Sequence, residues 1–120
     1  EDHPLLPFNN YAWSKLGGEC AVQMLKNSLI LRICMMEKPF AYKYAYTNLK
    51  TNFMFHQDLV KVFFKFINKR GVINVGGPVQ SVYKFAKKSS KNVKKKVLKS
   101  KKGTLPLAST MNIRKFKKIN

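Results

Sequence analysis

Apolar positions along this chain change period several times, and each change marks an element. From Asn9 to about Asn27 they follow helical spacing, with Leu16, Ala21, Met24 and Leu25 forming a stripe and Asn9 or Asn10 able to cap the first turn. The run Ser28 to Cys34 is short and almost wholly apolar, which suits a parallel strand buried on both faces. Phe53-Met54-Phe55 predicts a small strand. His56 to Lys69 predicts a second amphipathic helix with Leu59, Val62, Phe63, Phe66 and Ile67 inward, ended by Gly71. Val72 to Val75 reads as another buried strand. Gln80 to about Lys88 reads as a third helix with Val82, Phe85 and Ala86 on one face, and Ser109 to Lys118 as a last short helix capped by Ser109 or Thr110. Residues 35–52 are polar and aromatic and predict a loop or lid; residues 87–102 are Lys-rich and predict a solvated face or flexible segment. Gly17 and Gly18 weaken the first helix, so something is expected to pack closely against it there. The alternation of strand and helix predicts an α/β architecture.

Length and composition narrow the picture. A chain of 120 residues with 45% hydrophobic content can build one domain with a real core. No apolar run approaches a membrane span, and no basic stretch followed by an apolar one marks a signal peptide. Cys20 and Cys34 lack metal or redox spacing and read as reduced thiols of a cytoplasmic protein. His3 and His56 are not spaced with any Cys or acid as a metal site, so no metal is expected. The net charge of +19 raises nucleic acid or a membrane surface as partner. However, the cations are 21 Lys against 3 Arg, alongside 10 Asn, which is the signature of A-rich codons. The Lys cluster within 84–102 also lacks interleaved aromatics after Phe85 for base stacking. Composition therefore favours codon bias plus an anionic small ligand over nucleic acid.

The candidate chemistry is a tyrosine and a lysine four apart. From 5 Tyr and 21 Lys about one such pair is expected by chance; three occur, at Tyr11/Lys15, Tyr46/Lys50 and Tyr83/Lys87. Residues i and i+4 share a helix face, and an ammonium beside a phenol favours the phenolate, which can then exchange a proton with a carbonyl or hydroxyl oxygen. Tyr46/Lys50 falls in the expected loop, and Tyr83/Lys87 on a helix whose apolar face already has a packing role. Tyr11/Lys15 has the richest context, although a plain amphipathic helix accounts for it too. Trp13 beside it reads as a packing residue, and Asp58 as a cap or first-turn acid at the positive end of the second helix.

That context resembles a known family. Pro7-x-Asn9-x-Tyr11-x-x-Ser14-Lys15-x-x-x-Glu19 followed by Leu29-Ile30-Leu31-Arg32 resembles the extended short-chain dehydrogenases/reductases, in particular the dTDP-4-dehydrorhamnose reductase-like sugar-nucleotide enzymes. His56-Gln57-Asp58-Leu59-Val60, Gly71-Val72-Ile73-Asn74-Val75-Gly76-Gly77, Ser81 to Ala86, and Pro106 to Phe116 extend the similarity in the same order along nearly the whole chain. The resemblance implies the C-terminal part of a Rossmann-like NAD(P)-binding fold. Residues 1–35 would end that core, and residues 36–120 would form a small α/β substrate-binding region. It implies hydride transfer between NAD(P)H and a keto group of a nucleotide-linked sugar. Tyr11 would be the catalytic acid/base; Lys15 would favour its ionised form and hold the nicotinamide ribose. Ile33 and Cys34 would face the cofactor, and Met35, Met36 and Asp58 the sugar nucleotide.

The sequence departs from that family at several points. No Gly-x-Gly-x-x-Gly is present, and Gly76-Gly77-Pro78 does not replace it. The family's upstream Ser/Thr is missing, Ile33-Cys34-Met35-Met36 stands where Ser/Thr and an aromatic are common, and no Arg precedes Pro106 closely. With Glu1 rather than Met at the start, the dinucleotide-binding half is expected to be missing, on the order of 100–150 residues. The isolated chain would then lack cofactor affinity and leave unpaired strand edges. A non-catalytic sugar-nucleotide-binding remnant and a small basic nucleic-acid-binding protein are the alternative readings.

Overall fold

A computed structural model describes residues 5–99 and 107–120. His3, Pro106 and the end of the Lys-rich stretch at 100–102 lie outside them. Along the chain run α1 (Asn10–Gln23), β1 (Leu29–Ile33), β2 (Met35–Met36), β3 (Tyr44–Tyr46), β4 (Lys50–Thr51) and β5 (Met54–Phe55). There follow α2 (His56–Phe63), a 3-10 turn (Phe64–Phe66), β6 (Gly71–Val75), β7 (Gln80–Ser81), α3 (Val82–Ala86), β8 (Lys94–Lys96), β9 (Ala108–Ser109) and α4 (Arg114–Ile119). The protein is a mixed α/β structure in which four helices pack on small sheets.

The two longest strands, β1 and β6, pair in parallel from Leu29 opposite Gly71 to Ile33 opposite Val75. Gly71 enters β6 at φ 80, a backbone conformation that L side chains rarely adopt, and its N–H donates to Ser28 O. β6 is the centre of one core cluster, with Ile73 and Val75 packed among Leu59, Phe66 and Phe116. The rings of Phe66 and Phe116 stack with centroids 5.9 Å apart. Leu29, Leu31 and Ile33 join this cluster from one face of β1 only, so the strand is half-buried along its length rather than covered on both faces.

Several expectations are corrected. The segment 35–52 is not an irregular lid: Phe40, Ala45 and Leu49 form a second core cluster with Val82, Ala86 and Val93. Its strands pair with distant partners, β2 with β5, β3 with β8, and β4 with both β7 and β9. The Lys-rich segment holds β8 in parallel register with β3. The second helix tightens into the 3-10 turn after Phe63, which carries Phe66 into the core and leaves Phe63 and Ile67 exposed. Gln80 and Ser81 form β7 before α3, and the Ser81 side chain caps that helix at the Lys84 N–H; Val82, Phe85 and Ala86 are buried as expected. The last helix starts later, at Arg114, whose N–H is accepted by the Asn112 side chain at 3.0 Å, because Ser109 is taken into β9.

Between the clusters sits Asn52, 1% exposed. Its side-chain amide donates to Gly77 O at 2.9 Å and accepts from the Met111 N–H at 2.7 Å, while its backbone carbonyl accepts from the Gly77 N–H at 2.7 Å. This clamp requires glycine opposite. A Cβ at Gly76 would stand 2.6 Å from Asn52 O, and one at Gly77 2.5 Å from Phe53 O. The Gly-Gly pair thus serves close backbone packing.

Candidate active site

The Tyr11–Lys15 pair lies on α1, which Asn9 starts by accepting the Ala12 N–H on its side chain at 2.8 Å. α1 is barely amphipathic, and none of its residues is buried. Leu16 is half-buried, whereas Ala21, Met24 and Leu25 are exposed, and so is Trp13. Gly17 and Gly18 face open space, with nothing within 4 Å of a Cβ built on either. The expected stripe, the packed tryptophan and the close approach at the glycines are therefore all corrected, since β1 lies against the helix but leaves most of its surface exposed.

An ion pair holds α1 in place. Arg32 of β1 donates through Nε to Glu19 Oε2 at 3.0 Å and through a terminal nitrogen to Glu19 Oε1, a bidentate contact in which the two side chains are 19% and 10% exposed. Losing one partner at this depth costs about 1–3 kcal/mol, between the values for exposed and fully buried pairs. The sequence reading placed Glu19 and Arg32 in the motif but not against each other. A signal was there: Glu19 is one of only 5 acids, and Arg32 one of 3 arginines.

Above this pair, Lys15 Nζ sits 5.3 Å from the centroid of the Tyr11 ring. Tyr11 is 70% exposed. Both side chains line a groove of about 770 Å³ between α1 and β1, together with Ser14, Ile33, Met35 and Met111. The groove's floor is β1, apolar except for Arg32, which lines it with Glu19, and its wall carries Tyr11 and Lys15. An ammonium and a phenol side by side in such a groove can bind an anionic or hydroxylated ligand and donate a proton to it.

The other site residues inferred from the sequence are placed apart from this groove. Cys34 follows β1 with its backbone bonded to Val75 and Met54. Burial pushes its thiol above the ordinary cysteine range, and a hydrogen bond with the Asn52 backbone pulls the other way. Met36 packs against the second core cluster. Asp58 lies in the first turn of α2, paired with Lys61 at 3.2 Å, and lines a different cavity of about 520 Å³ beside Gly76, Gly77 and Phe116. Four of the seven, Tyr11, Lys15, Ile33 and Met35, are therefore brought together, and Cys34, Met36 and Asp58 are not. Neither other Tyr–Lys pair forms a site: Tyr46 and Tyr83 pack against the second cluster, and Lys87 Nζ donates to Lys91 O.

Among the described residues, no group of three or more His, Cys, Asp and Glu could hold a metal ion, and no helix is long and apolar enough to cross a membrane. Compared with known proteins, the chain matches no family model, no curated protein and no solved structure.

Proposed function

We infer that the α1–β1 groove is the tyrosine side of an NAD(P)-dependent reductase site. It acts on a keto group of a nucleotide-linked sugar, within the C-terminal part of a Rossmann-like fold. One observation carries this reading: Tyr11 and Lys15 share a helix face beside a parallel strand, in a groove lined further along by Ile33 and Met35. The residues present fit the nicotinamide-ribose end of the cofactor. Lys15 would hold the ribose hydroxyls, Ile33 and Met35 would exclude water from the ring, and Tyr11 would hand its proton to the carbonyl oxygen. They do not fit the pyrophosphate, because Gly76 and Gly77 are committed to the Asn52–Phe53 backbone and no other glycine turn of the needed spacing occurs in the sequence. When bound, NAD(P)H supplies the hydride. The two free thiols fit a cytoplasmic setting.

The test uses the native gene product, at the length the cell makes it, with NAD(P)H and a dTDP-linked 4-keto sugar. Oxidation of the cofactor is expected, with Tyr11→Phe lowering kcat by about 10²- to 10⁴-fold while KM changes little. Binding of the nucleotide sugar with no turnover would favour the non-catalytic reading, and absence of both would sink the assignment of this groove.

A further inference from the structure

Past Asp58 the sequence contains no Asp or Glu, while lysines continue to its end. Three of them, Lys94, Lys95 and Lys96, make up the whole of β8 and are exposed. Lysine has little preference for strands, and three in a row repel one another, so pairing and anchoring must hold β8 in place. The anchors are visible. Val93 before it is buried, and Leu98 after it is clamped by Asn48, whose side chain accepts the Leu98 N–H at 2.8 Å and donates to Leu98 O at 2.9 Å. The Lys94 N–H donates to Lys43 O at 2.9 Å, and Lys96 O accepts the Thr47 N–H at 2.9 Å. A fixed row of ammonium groups results, not a loose tail.

Its neighbour supplies the aromatics that the Lys-rich segment lacks in its own sequence. In the register Tyr44 lies opposite Lys94 and Tyr46 opposite Lys96, with the intervening Ala45 buried. Alternation therefore turns Tyr44 to the outer face, with Tyr46, half-buried against the second cluster, about 7 Å further along the strand. Lys96 Nζ lies 5.9 Å from the centroid of each ring, and Lys43 Nζ 5.9 Å from that of Tyr44. Tyr44 is 48% exposed, and Tyr42, just before the strand, is 63% exposed. Among the described acids, Glu19 and Asp58 are engaged elsewhere, by Arg32 and Lys61.

The geometry points to the β3–β8 face as a binding platform for single-stranded nucleic acid. Lys94, Lys96 and Lys43 contact phosphates, and bases stack on Tyr44 and Tyr42. A polyanion relieves the repulsion within the lysine row, and the exposed rings in phase with it accept the flat faces of bases, which a duplex hides. A lipid surface fits less well, because the lysines stand beside tyrosines and not above a continuous apolar face. This inference is independent of the α1–β1 groove.

The experiment is fluorescence anisotropy of the protein with a labelled oligouridylate of about 12 nucleotides, within the site sizes such surfaces cover. Binding should weaken as salt rises. Lys94→Gln with Lys96→Gln should flatten the log–log salt slope by about 1.4, the share of two phosphate contacts on a single strand. Tyr44→Ala should weaken binding about tenfold and leave the slope unchanged, and Tyr44→Phe should restore it. These side chains are exposed, and circular dichroism with thermal melting confirms that each variant folds. Equal affinity for polyphosphate and the oligonucleotide with no effect of Tyr44→Ala would overturn the proposal. So would a duplex bound as tightly as the single strand, or binding to phosphatidylserine vesicles with none to the oligonucleotide.

Discussion

Two pairs of adjacent glycines separate two regions of this protein. Gly17 and Gly18 lie in α1, where an added Cβ would meet nothing, whereas Gly76 and Gly77 leave β6 under the backbone of Asn52 and Phe53, where an added Cβ would meet a carbonyl oxygen. The same contrast holds for whole elements. α1 carries the tyrosine–lysine pair yet buries nothing and is tethered through Arg32 and Glu19. The body around β6, α3 and Asn52 carries no obvious reactive group yet holds both core clusters. A strong local pattern is thus no measure of burial. The groups best placed for chemistry stand on the least packed helix, and the residues that fix the body are a glycine pair and an amide.

The sharpest way to break this comparison is one methyl group in each region. Gly77→Ala should destabilise the protein by about 3 kcal/mol, since rigid backbone must shift to admit the Cβ. Gly17→Ala should stabilise it by about 0.5–1 kcal/mol through helix propensity alone. Urea denaturation midpoints measure both. A Gly17→Ala cost close to that of Gly77→Ala would mean that α1 is covered in solution.

Next in size is Asn52→Ala, expected to cost about 2 kcal/mol because Gly77 O and the Met111 N–H lose their side-chain partner in the interior. Hydrogen exchange sharpens the test: the Met111 amide should exchange faster, while the Gly77 amide, bonded to the Asn52 backbone, should keep its protection relative to global unfolding.

The smallest effect is a pH dependence at the end of β1. Burial raises the Cys34 thiol pKa, so the folded state holds that proton more tightly than the unfolded chain. Its contribution is complete below the ordinary cysteine value of about 8.5 and is lost as pH rises through the folded value, so stability should fall on the alkaline side. Cys34→Ser should flatten that fall in pH-dependent melting. Thiol labelling near neutral pH should modify exposed Cys20 before Cys34. Equal rates would place the end of β1 as far in the open as α1.

What could be read in the sequence follows the distinction between local and distant causes. α2, β6 and α3 were legible because their apolar periods match the faces they bury, as Leu59, Ile73 and Phe85 show. The pairings β3–β8 and β4–β9 were not, because their strands are two or three residues long and Lys94-Lys95-Lys96 has no apolar pattern at all. The outward face of α1 was misread because a stripe on a weakly amphipathic helix gives no sign of whether anything lies opposite. The juxtaposition of Tyr11 and Lys15 was legible from helix geometry. The Arg32–Glu19 tether spans helix and strand and needed the fold.

The parallel pairing of β1 also sets a clock on synthesis. Leu29 must wait for Gly71, 42 positions later, before its strand gains a neighbour. At the usual pace of translation, about 5–20 residues per second, that interval is on the order of 2–8 s. For those seconds the five residues of β1 leave the ribosome without their partner strand, so the nascent chain has to be shielded at Leu29–Ile33 until β6 follows.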